Sequence, residues 1–384
     1  MSGQCKAYAG AAIFDGHRLL AGHALVLEGA RVRALLPENE IPPGTETIRL
    51  AGGFLAPGFV DLQVNGGGGV MFNEAPEPAT LRTIAEAHAR LGTTALLATL
   101  ITDTPERTRA AVSAVAEAVA QGVKGIAGLH LEGPHLSLER KGAHDAALIR
   151  PMDDSDLEML LDAARRLPAL MVTLAPESAT PAQVRALAGA GAVVSLGHSD
   201  AGFETCMAYA AAGARCVTHL FNAMSQLRNR APGLVGAALQ SGGLSAGVIA
   251  DGIHVHPDAI ALALRAKRGP GGLFLVTDAM ATAATALDGF EINGRRVCRR
   301  EGRLTLPDGT LAGADLEMAG ALRLMVNDLG LAPEVALAMA TSRPAGVAGL
   351  SRHHGTLHPG ARADFVHLDN KLNLRAVWRS GEAV

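Results

Sequence analysis

Eight short apolar segments, separated by longer amphipathic stretches, recur across residues 53–344 and most constrain the fold of this 384-residue chain. The stretches between them, such as "PATLRTIAEAHARLG", have a helical pattern, with helix starts at Asp153 and at Thr180-Pro181. Strands that alternate with helices predict an α/β fold with a parallel sheet. Eight units in line favour a closed (β/α)8 TIM barrel over a doubly wound open sheet. The predicted strands are FVDLQV, ALLATLI, IAGLHLE, LMVTLAP, VVSLGHS, CVTHLFN, SAGVIADG and LFLVTDA.

The two ends of the chain have a strand pattern instead. Residues 1–52 and 345–384 alternate apolar and polar side chains between turn signals, without the helical stretches of the central region. We predict that both ends join in one small β-sandwich domain beside the barrel domain, residues 53–344. Within that barrel domain, residues 287–312 contain two turn signals, Asn293-Gly294 and Asp308-Gly309, which predict a β-hairpin insertion.

Composition argues against several classes of function. The net charge is −3 and aromatic residues make up 3% of the chain, so neither a basic nucleic-acid surface nor a base-stacking platform is expected. The apolar stretch at residues 233–250 is interrupted by glycine and polar residues, so no membrane span is expected. Four cysteines lie far apart with no Cys-x-x-Cys pair, which indicates reduced thiols and a cytoplasmic protein.

Ionisable side chains stand at or just beyond the ends of five predicted strands. The carboxyl ends of barrel strands converge on one mouth, where barrel enzymes place their chemistry. One such residue could be structural, but five at one mouth predict an active site. The five residues are Glu132, His198, His219, His254 and Asp278.

Three of these residues have the composition of a metal site. Glu132, His198 and His219 offer one carboxylate and two imidazoles, which leaves an open position on a divalent ion, as a hydrolytic site requires. Such an ion lowers the pKa of bound water towards ~7 and polarises a carbonyl. Asp278 is then available to accept the proton of the water and return it to a leaving amine. Capping of the next helix is the alternative role for Asp278, although Thr277 could cap equally well.

A set of motifs, in this order, resembles the N-acetylglucosamine-6-phosphate deacetylase family of the amidohydrolase superfamily, and the resemblance covers nearly the whole chain. It implies hydrolysis of the acetamide of N-acetyl-D-glucosamine 6-phosphate to D-glucosamine 6-phosphate and acetate. The motifs are PGFVDLQVNGGGG, HLEGPH, KGAHD, LGHSDA, THLFNAM, APGLVGAAL, DGIHVHP, LVTDAM and GTLAGADLEM.

The resemblance also bears on the number of metal ions. Members with a His pair on the first strand can hold two ions, whereas members with Gln-x-Asn there use one. This chain has Gln63 and Asn65 at those positions, and neutral amides are poor ligands beside carboxylate and imidazole. We therefore expect one divalent ion per subunit. The ligand set suits Zn²⁺ best, with Fe²⁺, Co²⁺ and Mn²⁺ left open.

Further roles are implied by the resemblance alone. His144 would donate to the acetyl carbonyl and stabilise the oxyanion, and Gln63 would either fix a metal-bound water or be a structural amide. A homodimer is implied, in which an arginine completes the neighbouring site; Arg230 fits best, with Arg228 as the alternative. The residues implied to contact the sugar phosphate are Asn222, Ala223, Arg230 and His254.

Two alternative functions stay open at this point. A sister enzyme that acts on N-acetylgalactosamine 6-phosphate needs the same metal, base and phosphate contacts. A non-catalytic scaffold is a second alternative, since some relatives have lost metal ligands. Retention of four convergent polar groups, Glu132, His198, His219 and Asp278, argues against the scaffold.

Overall fold

The computed structural model describes residues 5–384 and contains an eight-stranded parallel sheet whose strands follow one another in chain order. All of them are almost wholly buried, as expected for a parallel sheet covered by helices. The predicted (β/α)8 barrel is confirmed, with each predicted segment forming one strand. The strands are Phe59–Val64, Thr93–Ile101, Ile126–Glu132, Leu170–Leu174, Val193–Leu196, Cys216–Val217, Ser245–Val248 and Leu273–Leu275.

The ring closes through residues just beyond the ends of the first and last strands. The backbone N–H of Asp278 donates to the carbonyl of Gln63 at 3.0 Å, and the N–H of Asn65 donates to Ala279 at 2.8 Å. The helix Pro333–Ala340 packs against both of these strands. Closure therefore brings the Gln63/Asn65 segment next to Asp278.

Helices follow the barrel strands and cover the outside of the ring. Asp153 and Thr180 each accept a hydrogen bond from the third residue of their helix in a full capping box, which confirms both predicted helix starts. In residues 5–384 no helix is both long enough and apolar enough to cross a membrane. The helices are Pro78–Arg90, Pro105–Ala120, Asp154–Arg166, Pro181–Gly189, Phe203–Ala212, Gly233–Gln240, Pro257–Ala266, Met318–Arg323 with a π-helical continuation Leu324–Asp328, Pro333–Ala340 and Ser342–Val347.

Two sheets outside the barrel are built from the chain ends: the first has strands from the N-terminal end alone, and the second combines strands from both ends. They enclose a core in which Tyr8 contacts Phe365 and Trp378 edge-on, while Phe365 and Trp378 stack. The strand Phe54–Pro57 lies in the second sheet, so this domain extends beyond the predicted boundary at residue 52. In spatial order the first sheet contains Arg31–Pro37, His23–Glu28, Cys5–Ala9 and Glu46–Arg49, and the second Glu382–Ala383, Leu374–Arg379, Phe365–Leu368, Phe54–Pro57, Ala12–Phe14 and Leu19–Leu20.

The segment predicted as a hairpin insertion is a four-stranded antiparallel sheet. The two expected turns are present, and a third reversal occurs at Glu301-Gly302, where both residues have positive φ (50° and 72°). Glutamate is an uncommon first residue for such a turn, so this reversal could not be predicted from the local residues. The apolar face of this sheet packs over Met71 and Met280. The strands are Gly289–Ile292, Arg295–Arg300, Arg303–Thr305 and Leu311–Ala314.

Candidate active site

The ends of three barrel strands bring Glu132, His198 and His219 together. Oε1 of Glu132 lies 3.2 Å from Nε2 of His198 and 3.0 Å from Nε2 of His219, and the two nitrogens are 3.0 Å apart. All three residues are buried, and their ligand atoms form a group that could hold a metal ion. The three candidate ligands named from the sequence therefore meet at one point.

This donor set fits one divalent ion. A tetrahedral ion with bonds of about 2.0–2.1 Å separates its ligands by about 3.3 Å, close to the separations between these three atoms. Nδ1 of His198 donates to the carbonyl of Arg140 at 2.8 Å, which fixes the ring and leaves Nε2 to face the ligand group. Nδ1 of His219 has no hydrogen-bond partner in residues 5–384.

Glu132 and His219 stabilise each other's charged forms. Burial alone would raise the pKa of Glu132, but hydrogen bonds from His198 and His219 outweigh burial and hold it well below its usual range. Burial likewise would lower the pKa of His219, but the hydrogen bond and charge of Glu132 raise it overall. Glu132 is thus an anion in a buried site, which is the form that binds a metal.

The backbone at the site is strained. His198, His219, Ala223 and Asp278 have φ values of 47°, 27°, 49° and 50°, in the left-handed region that side-chain-bearing residues rarely adopt. All four line one cavity. Strained residues gather where the geometry of a site requires them, so this clustering marks the mouth of the barrel as functional.

A chain of hydrogen bonds inside the barrel lies near the three ligand residues. Nε2 of His130 is 2.7 Å from the hydroxyl of Thr173, which is 2.6 Å from that of Thr218, and Ser195 also bonds to Thr218. The contact between Thr173 and Thr218 passes over an intervening strand, so it lies in the barrel interior. His130, two residues before Glu132 on the same strand, bonds to Thr173 and not to Glu132.

The two amides on the first strand each bond to a carboxylate. Nε2 of Gln63 donates to Oε1 of Glu132 at 3.1 Å, and Nδ2 of Asn65 donates to Oδ1 of Asp278 at 2.7 Å. Asn65 lines the cavity, whereas Gln63 is 2% exposed and does not. The resemblance left Gln63 either to fix a metal-bound water or to be a structural amide; its amide donates to the same Glu132 oxygen that faces His198 and His219.

Asp278 has the environment of a general base. Burial, followed by the charge of Glu132, raises its pKa to about 6, while His219 and Asn65 oppose the rise. The preceding residue, Thr277, donates through its backbone N–H and its hydroxyl to the buried carboxylate of Asp61. Burial raises the pKa of Asp61 to about 7. Asp61 thus anchors the strand end that presents Asp278.

His144 is held in one tautomer. Its Nδ1 accepts the backbone N–H of Thr102 at 3.3 Å and lies 2.8 Å from the hydroxyl of the same residue. Because a backbone N–H can only donate, Nδ1 carries no proton and Nε2 does. Burial, and then the charge of His198, lower the pKa of His144 to about 3, so the ring is neutral. Its free Nε2–H is therefore a fixed hydrogen-bond donor.

Three of the four residues implied to contact the sugar phosphate, Asn222, Ala223 and His254, line the same cavity. His254 lines it, and Nδ1 of His254 is 2.6 Å from Oδ2 of Asp251. The side-chain amide of Asn222 donates to the carbonyls of His219 and Leu220 at 3.3 Å, so its N–H groups are engaged within the loop.

The cavity has a volume of about 530 Å³ and is closed on one side by residues 309–313 of the inserted sheet. Among residues 5–384, Arg140 is the only Arg or Lys that lines it, and Asp200 pairs with Arg140 at 2.6 Å. Arg228 and Arg230 are both exposed and lie outside the cavity of their own chain.

Two family models match this chain. Residues 54–384 match the model described as the amidohydrolase family, and residues 7–55 match the model of the NagA composite domain. The chain belongs to the amidohydrolase family. Its buried Glu/His/His group is the kind of metal site on which the barrels of this family depend.

Relatives of this amidohydrolase fall into two groups, each named for a different sugar. An N-acetylgalactosamine-6-phosphate deacetylase of Shewanella sp. (strain ANA-3) is 45% identical over 87% of this chain and 84% of its own length. An N-acetylglucosamine-6-phosphate deacetylase of Bos taurus is 37% identical over 100% of this chain and 97% of its own. The crystal structure of N-acetylglucosamine-6-phosphate deacetylase from Pasteurella multocida is similar with a TM-score of 0.94 and 35% identity, and covers 99% of both chains.

Several residues of the amidohydrolase site have no separate signal in the sequence. Thr102 sets the tautomer of His144 from the end of the second strand, and Asp61 holds Thr277 from within the first. Asp251 is the exception, since its place three residues before His254 in "DGIHVHP" could have identified the pair.

Proposed function

We propose that this amidohydrolase cleaves the acetamide of N-acetyl-D-glucosamine 6-phosphate and releases D-glucosamine 6-phosphate and acetate, in amino-sugar catabolism and cell-wall recycling. The observation that carries the proposal is the meeting of Glu132, His198 and His219 with Asp278 in one cavity. Full-length similarity to deacetylases of phosphorylated amino sugars supports the same reaction. A scaffold protein has no use for four gathered ionisable groups, three of them in strained conformations.

N-acetylgalactosamine 6-phosphate is the second candidate substrate. The relative at 45% identity carries that name and favours it, whereas the relative that spans the whole chain carries the glucosamine name. The two sugars differ at one hydroxyl group, and the metal ligands, Asp278 and His144 serve either substrate equally.

The reaction assigns one role to each polar group. A divalent ion bound by Glu132, His198 and His219 would polarise the acetamide carbonyl and lower the pKa of the attacking water. Asp278 accepts the proton of that water and later donates it to the departing amine. A base whose pKa is near 6 suits this cycle, because it is ionised at neutral pH and can still be protonated during turnover.

His144 stabilises the charge that develops on the carbonyl oxygen. Its Nε2–H is held by the bonds between Nδ1 and Thr102, so it does not need to reorient during the reaction. Fixed donors of this kind in a buried site lower the barrier more than mobile ones in water do. The ring remains neutral, so it donates the hydrogen bond without giving up its proton.

For the ion itself we propose Zn²⁺, one per subunit. One carboxylate and two imidazoles suit zinc, and ferrous iron, cobalt and manganese suit the same donors less selectively. The side-chain amides of Gln63 and Asn65 donate hydrogen bonds to Glu132 and Asp278. Both amides therefore serve as hydrogen-bond donors, which supports a site for a single ion.

We further propose a homodimer in which Arg230 reaches the phosphate of the neighbouring site. A phosphate dianion calls for a cation, and the only Arg or Lys that lines the described cavity, Arg140, is already paired with Asp200. The exposed loop that carries Arg228 and Arg230 is available to reach another subunit. Arg228 stays the alternative. A cytoplasmic location also stays a prediction.

The proposed function is tested by acetate release from the two phosphorylated amino sugars, with the metal content measured on the same sample. We expect a higher kcat/KM for the glucosamine derivative. A higher value for the galactosamine derivative would select the second candidate, and no acetate from either sugar with the metal site filled would refute the deacetylase assignment.

A further inference from the structure

A second cavity, of about 730 Å³, lies at the opposite end of the barrel from the candidate active site. Arg215 and Ser245, which line it, stand at the amino ends of the sixth and seventh strands, and Gly272 directly precedes the eighth. The metal-binding group stands beyond the carboxyl ends of strands. The two cavities are therefore on opposite faces of the ring, and one small ligand cannot span both.

The lining of this second cavity carries positive charge without a balancing carboxylate. Arg215, Lys267 and Arg343 line it, and no Asp or Glu does. Within residues 5–384 none of the three cations takes part in an ion pair. Lys267 donates to the carbonyls of Ser241 and Arg268, and Arg343 donates to that of Leu273, so their partners are neutral.

Without a bound anion, burial of these positive charges carries a desolvation cost. Lys267 and Arg343 are partly buried, and burial lowers the pKa of each with no carboxylate to oppose it. Partly buried charges are normally paired, so the unpaired Lys267 and Arg343, which line the cavity with the exposed Arg215, need another explanation. Packing does not explain the cationic side chains, because apolar side chains could line the cavity at a lower desolvation cost.

Glycines form part of the cavity wall. Gly243, Gly269, Gly271 and Gly272 contribute to the lining, so no side chain shields the main chain there. A Cβ at Gly271 would lie 2.4 Å from the carbonyl oxygen of Leu244, so that position accepts only glycine. Guanidinium and ammonium groups are the usual partners of phosphate oxygens, and a wall of glycines leaves room for a ligand beside them.

We propose that this second cavity is a binding site for a small phosphate dianion, either inorganic phosphate or a small phosphomonoester. Three cations match a doubly charged ligand, and a volume of about 730 Å³ is within the range of small-molecule pockets. This inference does not depend on the proposed function, because it concerns a different face of the barrel and different residues.

Equilibrium dialysis with radiolabelled inorganic phosphate tests the proposal, at an ionic strength kept constant with chloride. Arg215→Gln is the primary variant, since the Arg215 side chain is exposed and makes no side-chain hydrogen bond within the described residues, so folding should be unaffected. Lys267→Met is the second. A His254→Asn background reduces phosphate binding at the barrel mouth. We expect each variant to bind phosphate at the second cavity at least tenfold more weakly than its parent.

Arg268→Met is the matched control, because it removes one positive charge beside Lys267 from a residue that does not line the cavity. It should bind phosphate as its parent does. Equal binding by the parent, Arg215→Gln and Lys267→Met would overturn the proposal, and so would an equal loss in Arg268→Met, which would indicate net charge alone. Displacement of phosphate by glycerol 3-phosphate at a lower concentration would assign a phosphomonoester, and failure to displace it would assign inorganic phosphate.

Discussion

The side-chain amide of Asn65 donates a 2.7 Å hydrogen bond to Asp278, although the two residues are 213 positions apart in the sequence. The bond stabilises the ionised form of a carboxyl whose pKa burial and Glu132 raise to about 6. Gln63, two positions before Asn65, supports Glu132 in the same way. Two neutral amides from the first strand and the residue that follows it thus hold both carboxylates of the site.

The Asn65 bond predicts a shift in pH dependence. Protonated Asp278 cannot accept a proton, so kcat/KM should fall as the pH falls through its pKa. Asn65→Leu removes a bond that lowers this pKa, so the acid limb should move to higher pH, by about 0.5–1 unit for one hydrogen bond. Gln63→Leu is the control: its acid limb should stay in place, while metal affinity falls about 10–100-fold. If the acid limb of kcat/KM does not move in Asn65→Leu, the Asn65 hydrogen bond does not lower the pKa of Asp278.

Replacing the base itself should affect chemistry and not binding. Asp278→Asn keeps the size of the side chain but cannot accept the proton of water, so kcat should fall by roughly 10²–10⁴. KM and metal content should stay close to those of the unsubstituted enzyme. Steady-state kinetics and metal analysis on one preparation check both points. If KM rises while kcat is kept, Asp278 belongs to substrate binding.

The metal site predicts a stoichiometry. Elemental analysis of the purified protein should find one divalent ion per chain, and Glu132→Ala should lose it, because one buried anion then disappears from the ligand set. Glu139→Ala is the matched control, since Glu139 lines the same cavity outside the ligand group. Two stoichiometric ions, or full occupancy in Glu132→Ala, would contradict the single-ion site.

The pair formed by Asp251 and His254 predicts an effect limited to phosphorylated substrates. Oδ2 of Asp251 lies 2.6 Å from Nδ1 of His254, so the carboxylate fixes the orientation of a ring that lines the cavity. Asp251→Asn should raise KM by about tenfold, as expected for a weakened charge-assisted bond, with little change in kcat. Asp258→Asn, beside the exposed His256, should change neither constant. A similar loss on unphosphorylated N-acetylglucosamine would rule out phosphate recognition as the cause.

The sequence was a good guide to local features and a poor one to closure of the ring. Each barrel strand is a short apolar run, and Glu132, His198 and His219 follow directly from strand ends, so both could be predicted. The bond between Asn65 and Asp278 depends on the register at which the last strand meets the first, and that register has no local signal. Thr102 and His144 likewise meet only because a loop folds back over the barrel mouth.

The inserted sheet shows the same limit on a smaller scale. Asn293-Gly294 and Asp308-Gly309 are recognisable turn pairs, whereas Glu301-Gly302 turns the chain with a residue that seldom adopts positive φ. The two recognised turns predicted a hairpin. The third turn, at Glu301-Gly302, was not recognised, and with it the segment forms a sheet of four strands. Residues 309–313, which close one side of the cavity, therefore could not be assigned to the site from the sequence.

The shared phosphate site predicts recovery of activity when two inactive variants are mixed. Asp278→Asn damages the site of its own chain, and Arg230→Ala damages the site of the neighbour if the arginine acts across the dimer. After subunit exchange, each mixed dimer then has one site with both defects and one intact site. Half of the dimers are mixed, so activity should recover to about a quarter of that of the unsubstituted enzyme. Arg228→Ala in place of Arg230→Ala tests the alternative residue. If the arginine acts within its own chain, every site keeps one defect and mixing restores nothing, so absence of recovery with exchange demonstrated by mass spectrometry would refute the shared site.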